Sequence, residues 1–111
     1  MAEDTYDVIV IGGGPAGENA AHYAIKGSER TAAIVEAELV GGECSYWACM
    51  PSKALLRPVE AVEEVGALPG VSARLDDTAA VLERRDQFNH HRDDSSQVQW
   101  ANDNGIEVVR G

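Results

Sequence analysis

Apolar residues cluster in short blocks, and two spacings alternate along the chain. Asp7 leads into Val8-Ile9-Val10-Ile11, a continuous β-branched run. Such a run predicts a strand buried on both faces, as in a parallel sheet. A helical stretch over about Ala16 to Lys26 follows. Its small residues Ala20, Ala21 and Ala24 allow close packing on a sheet, and Gly27 is placed to end it. Thr31-Ala32-Ala33-Ile34-Val35 reads as a second strand, ending at Glu36. From Ser52 to about Gly66 the apolar positions Leu55, Leu56, Val59, Val62 and Val65 give a helical face. Pro58 lies inside it and predicts a kink or a break. A turn at Gly66-Ala67-Leu68-Pro69-Gly70 precedes another helix, capped by Asp76 or Asp77. That helix is expected to run to about Asn102, with Gly105 as its stop and a thin stripe of Val81, Leu82, Phe88, Val98 and Trp100. Ile106-Glu107-Val108-Val109 reads as a third strand. Strands alternating with helices predict an α/β protein around a three-stranded parallel sheet.

Composition narrows the choice of partners. At 111 residues the chain is one domain at most. Nine basic against nineteen acidic residues give a formal charge of −10. That balance argues against nucleic acid and anionic membrane as partners. No run of 18 apolar residues exists, and the acidic start Met-Ala-Glu-Asp-Thr lacks a signal-peptide layout, so a cytoplasmic location is expected. His90 and His91 are adjacent and point to different helix faces, with His22 far away, so no metal site is expected.

The first strand runs straight into Gly12-Gly13-Gly14-Pro15-Ala16-Gly17, which contains G-x-G-x-x-G at Gly12, Gly14 and Gly17. The motif alone is weak. Here a strand precedes it, a helix and a second strand follow, and Glu36 stands 19 positions beyond Gly17. Gly12 permits the tight turn, Gly14 lets backbone approach a pyrophosphate, and Gly17 lets helix and strand pack closely. Phosphates would meet free N–H groups and the helix dipole, and Glu36 would bind an adenosine ribose. The motif does not choose between NAD and FAD.

The segment Gly41 to Lys53 adds redox chemistry. It holds both cysteines, Cys44 and Cys49, and a helix start beyond them. Residues five apart on a regular helix have Cα atoms roughly 8–9 Å apart, whereas a disulfide wants about 4.4–6.8 Å. A bridge therefore requires a distorted first turn, which Pro51 suits. A helix N-terminus favours a thiolate. Spacing alone leaves a redox pair, a stabilising bridge and half a zinc site open. A dinucleotide site ahead of the pair favours a flavin, which can pass electrons to sulfur.

Together, Val8 to Gly17, Glu36, Gly41-Gly42, Cys44, Cys49 and Pro51-Ser52-Lys53-Ala54-Leu55-Leu56 resemble the pyridine nucleotide–disulfide oxidoreductases with a Cys-x4-Cys centre. That family includes dihydrolipoamide dehydrogenase, glutathione and mycothione reductases and mercuric reductase. The resemblance implies a Rossmann-like FAD-binding fold, of which residues 1–111 are the N-terminal part. The rest of that domain, an NAD(P)-binding domain and a dimerisation domain are expected after Gly111. It further implies FAD as cofactor, NAD(P)H as reductant in the full-length enzyme, a homodimer, and a disulfide or quinone-type substrate. Gly12, Gly14, Pro15, Ala16 and Gly17 would line the FAD pyrophosphate, with Glu36 at the ribose and Gly42, Glu43 and Cys44 beside the cofactor. Cys44 would be the interchange thiol, Cys49 the thiolate against the flavin, and Lys53 a positive charge near its reactive nitrogen. The expected His-Glu acid–base pair has no counterpart here, so the polypeptide by itself is expected not to turn over NAD(P)H. The spacer Ser45-Tyr46-Trp47-Ala48 departs from the family's usual Leu/Val-Asn-Val/Ile-Gly, and Glu43 replaces the usual threonine or valine. These departures leave the acceptor open. The alternatives are a quinone or mercuric-ion reductase of the same family, or a non-catalytic nucleotide-binding module.

Overall fold

A computed structural model describes residues 5–111. Two compact units emerge. The first holds the chain up to Cys44 together with Asp93–Gly111, and the second holds Ser45–Arg92.

The first unit is built on three parallel strands, β1 (Val8–Ile11), β2 (Ala32–Glu36) and β3 (Ile106–Arg110), in the order β1-β2-β3. Val8 pairs with Ala32 and Ile11 with Val35; Ala32 also pairs with Ile106 and Glu36 with Arg110. Helix α1 (Pro15–Ile25) links β1 to β2, and α5 (Ser95–Asp103) leads into β3. Ala21 and Ile25 of α1, Ala32 and Ile34 of β2, Ala101 of α5 and Ile106 of β3 form the core. Ile34 is fully buried, which contributes about 1.5–3 kcal/mol relative to leaving it in water. Of the three small residues expected to pack on the sheet, Ala21 is buried and Ala24 half-buried, while Ala20 is exposed. Lys26 ends α1, and Gly27 follows with φ +73°.

The expectation that β1 is buried on both faces is not met. Val8 and Val10 pack against the core, but Ile9 and Ile11 are 59% and 89% exposed. Successive side chains of a strand alternate between faces, and among the described residues only one face of this edge strand is covered.

The second unit pairs α3 (Cys49–Gly66) with α4 (Thr78–Phe88). Pro58 neither breaks nor ends α3, which continues for two turns beyond it. The proline ring removes one N–H, so the cost is confined to the Ala54 carbonyl one turn back. Asp77 caps α4, its carboxylate accepting from the Ala80 N–H at 3.1 Å.

A single helix to Asn102 is also not what forms. α4 stops at Phe88, and His90, His91 and Arg92 take φ of +52°, +52° and +59°. Left-handed backbone costs roughly 1–2 kcal/mol per non-glycine residue. Helix α5 then restarts behind Asp93, whose carboxylate accepts from the Ser95 N–H at 2.9 Å and from the Ser95 hydroxyl. Asp93-Asp94-Ser95-Ser96 is a run of N-cap residue types, and it marks the restart in the sequence. No helix among the described residues is long and apolar enough to cross a membrane.

Candidate cofactor cleft and dithiol segment

β1 delivers the chain into the glycine loop, where the Gly12 N–H donates to the Val35 carbonyl at 2.8 Å. The Gly13 N–H donates to Glu36 Oε2 at 2.6 Å, and Glu36 Oε1 accepts from the Glu38 N–H at 2.8 Å. Glu36 is thereby clamped across the loop at the end of β2. A carboxylate has about four acceptor positions, so two remain for hydroxyl donors. Helix α1 starts at Gly14 with Pro15 in its first turn and no side-chain cap. Its first N–H groups and its dipole form an arrangement suited to an anion.

Two glycines are required by close approach. A Cβ on Gly17 would lie 1.8 Å from the Gly12 carbonyl oxygen. A Cβ on Gly42, whose φ is +62°, would lie 2.7 Å from the Gly14 Cα. The Gly41 N–H donates to the Gly13 carbonyl at 2.7 Å. The segment before the cysteines is therefore fastened backbone to backbone onto the glycine loop.

A second fastening comes from far away in sequence. Asp94 Oδ2 accepts from the buried Val40 N–H at 2.7 Å and from Arg110 Nη2 at 2.7 Å. Arg110 Nη1 reaches the Glu38 carbonyl at 2.6 Å. Asp94 and Arg110 thus hold the loop between Glu36 and Gly41. Sequence reasoning missed both, because nothing local links Val40 to a residue 54 positions on. It also missed the Gly13 N–H, the middle glycine of three.

Of the expected site residues, Gly12, Gly14, Pro15, Ala16, Gly17, Glu43 and Cys44 line one open cleft of about 580 Å³. Gly42 abuts this set through Gly14, and Glu36 joins it through Gly13. Cys44 lies on the short helix α2 (Gly42–Tyr46) and is partly buried. Cys49 and Lys53 belong to the second unit, both on α3. Cys49 is its first residue and partly buried; Lys53 is exposed one turn on. α2 ends at Tyr46 and α3 begins at Cys49, so the chain between the cysteines is not continuous helix. No group of three or more His, Cys, Asp or Glu that could hold a metal occurs among the described residues.

One further acid sits on α1. Glu18 is 9% exposed, and its Oε1 has no hydrogen-bond partner. Burial pushes its carboxyl above the ordinary range.

The family described as pyridine nucleotide-disulphide oxidoreductase matches residues 6–111. A soluble pyridine nucleotide transhydrogenase of Marinobacter nauticus is 50% identical over 62 residues, covering 56% of this chain and 13% of that protein. The enzyme of that name from Stutzerimonas stutzeri is 42% identical over 69 residues, covering 62% and 15%. The chain thus spans about one seventh of the curated relatives it matches. Among solved structures, LpdA of Mycobacterium tuberculosis superposes with a TM-score of 0.73 at 21% identity, over 94% of this chain and 23% of that one. The HOCl-induced flavoprotein disulfide reductase RclA of Escherichia coli, as a Cu(II) complex, gives 0.68 at 21%, over 95% and 22%. These likenesses carry the fold. The matched family works with FAD and a nicotinamide nucleotide. The uncapped α1 N-terminus, the close glycine contacts and the spare acceptor positions of Glu36 fit the adenosine diphosphate part of either. A glycine loop, an acid at the end of β2 and a cysteine lining the same cleft thus agree with the family match: the chain belongs to the pyridine nucleotide–disulphide oxidoreductase family of enzymes.

Proposed function

We propose that this chain is the N-terminal part of the FAD-binding domain of an NAD(P)H-dependent disulfide oxidoreductase. One observation carries the reading: Cys44 lines the same cleft as the glycine loop. The overall reaction is NAD(P)H + H⁺ + RSSR → NAD(P)⁺ + 2 RSH. Gly12, Gly14, Pro15, Ala16 and Gly17 would hold the FAD pyrophosphate and Glu36 the ribose, with Gly42 and Glu43 beside them. When bound, FAD supplies two-electron transfer between the nicotinamide and sulfur.

The chain's own part is thiol exchange. The Cys44 thiolate attacks one sulfur of RSSR, the S–S bond breaks, and the first thiol leaves with a proton. Cys49 then attacks the Cys44 sulfur of the mixed disulfide. The second thiol leaves, and Cys44–Cys49 remains as a disulfide, to be reduced again by two electrons. Lys53 would stabilise negative charge at the cofactor. The full-length enzyme is proposed to be a cytoplasmic homodimer whose later domains bind NAD(P)H and supply the acid–base pair.

The names of the curated relatives favour a second reading, hydride exchange between nicotinamide nucleotides with no thiol step. Cys44→Ser in the full-length protein separates the two. On the dithiol reading the variant keeps its flavin absorbance and loses disulfide reduction. Disulfide reduction at the wild-type rate in the variant would sink the relay. So would a wild-type enzyme that exchanges hydride between nucleotides but reduces no disulfide.

A further inference from the structure

The cleft beside the glycine loop carries one charged side chain, and it is negative. Its lining comes from β1, the glycine loop, α1 and α2. Among those residues Glu43 alone is charged, and Cys44 is the only other one that titrates. The two are consecutive in α2. Neighbours on a helix project about 100° apart, yet both reach the cleft. Glu43 is also a position where the chain departs from the family's usual residue.

A thiolate beside a carboxylate is a like-charge pair, which disfavours ionisation of the thiol. Three other influences decide whether that effect survives. The first N–H groups of α2 favour the thiolate. A helix end carries at most about half a positive charge, and α2 has only five residues, so a full negative charge on Glu43 outweighs it. Partial burial of Cys44 acts in the same direction as Glu43. So does Glu36, whose carboxylate is engaged by the Gly13 and Glu38 N–H groups and has the same sign. No basic side chain lines the cleft to oppose them.

We propose that Glu43 is a positioning residue for the Cys44 proton: its charge holds Cys44 as the thiol and so sets the pH at which Cys44 becomes the attacking thiolate. The proton leaves to water before attack, and the exchange then runs as described above. This rests on the dithiol reading and deepens it by naming what controls the first step. The control has two sides. Each unit by which a thiol pKa rises cuts the thiolate fraction about tenfold at lower pH, but makes the thiolate roughly threefold more nucleophilic. Glu43 therefore slows Cys44 in acid and speeds it in alkali.

The test follows alkylation of Cys44 by iodoacetamide across the pH range, read by mass spectrometry on the Cys44 peptide of the reduced full-length enzyme. Wild type is compared with Glu43→Gln, which has the same shape without the charge, and Glu43→Asp, which keeps the charge. Glu43 is exposed, so both variants are expected to fold and solvent weakens the effect. Glu43→Gln should lower the Cys44 midpoint by about 0.5–1 pH unit, roughly three- to tenfold more thiolate below it. Glu43→Asp should stay near wild type. Glu107→Gln, an exposed acid on the strand at the other edge of the sheet from β1, should not move the midpoint. The Glu43→Gln shift should shrink at about 1 M salt, where charges are screened within roughly 3 Å; a merely structural role would not respond to salt. A Glu43→Gln midpoint that is unchanged or raised, or a Glu43→Asp midpoint that falls as far, overturns the proposal. Disulfide reduction tests the relay separately: a shifted midpoint in an enzyme that reduces no disulfide upholds the role of Glu43 and removes the relay.

Discussion

Gly17→Ala and Gly66→Ala make the same chemical change and are expected to have opposite outcomes. At Gly17 the new Cβ would stand 1.8 Å from the Gly12 carbonyl oxygen and 3.0 Å from its carbon, where ordinary contact begins near 3.4 Å. The shortfall of about 1.6 Å is against backbone, which no rotamer change can relieve. Either Gly12 leaves its hydrogen bond to the Val35 carbonyl, or α1 lifts off β1. Overpacking of this kind costs about 3 kcal/mol or more. It falls on the loop that would hold the pyrophosphate, so FAD affinity of the full-length protein should drop more than about a hundredfold. Gly66 is the last residue of α3, and a methyl group added there would meet nothing within 4 Å. Alanine there should stabilise by about 0.5–1 kcal/mol through helix propensity and leave flavin affinity unchanged. Flavin content after purification, FAD titration of the deflavinated protein and urea unfolding check both. A Gly17→Ala enzyme that binds FAD within about threefold of wild type would refute the close-packing argument.

Two further changes test the supports of the cleft. Asp94→Ala strands the buried Val40 N–H and frees Arg110. It should cost about 2–3 kcal/mol in urea unfolding, whereas Arg110→Ala, at a half-exposed side chain, should cost less than about 1 kcal/mol; equal losses would contradict the assigned roles. Glu18 tests the effect of burial on charge. Its folded pKa is raised above the ordinary 4.5, so the native state binds the proton more tightly than the unfolded chain does. The stability this gives is full below the ordinary value and is lost as pH rises through the folded pKa. Glu18→Gln should therefore gain on wild type at neutral pH, and the gap should close in acid. A difference that does not vary with pH would contradict this sign.

Much of this protein is legible along the chain because the deciding interactions are local. β-branched runs give β1 and β2, alternation with helices gives the α/β order, and the spacing of Gly12, Gly14 and Gly17 marks the loop, where Gly12 takes φ +101° and a Cβ on Gly17 would collide with the Gly12 carbonyl. Asp77 caps its helix through a hydrogen bond to Ala80, three residues on, and Gly27 ends α1 by its own φ. These features need no partner distant in sequence.

Tertiary structure alone decided the rest. Whether β1 is covered on its second face depends on what packs there, not on its β-branched composition. Val8-Ile9-Val10-Ile11 reads the same with Ile9 and Ile11 open or covered. The break at His90–Arg92 overrides helical propensity, with Asn89 buried against the Tyr46 carbonyl and Arg92 stacked on Trp47. Asp94 reaches Val40 and Arg110 only after β3 has paired beside β2. Sequence determined the glycine loop and the two cysteines, since each is a constraint on neighbouring backbone. Folding decided what holds the loop before Gly41 in place, since that depends on side chains brought together from distant parts of the chain.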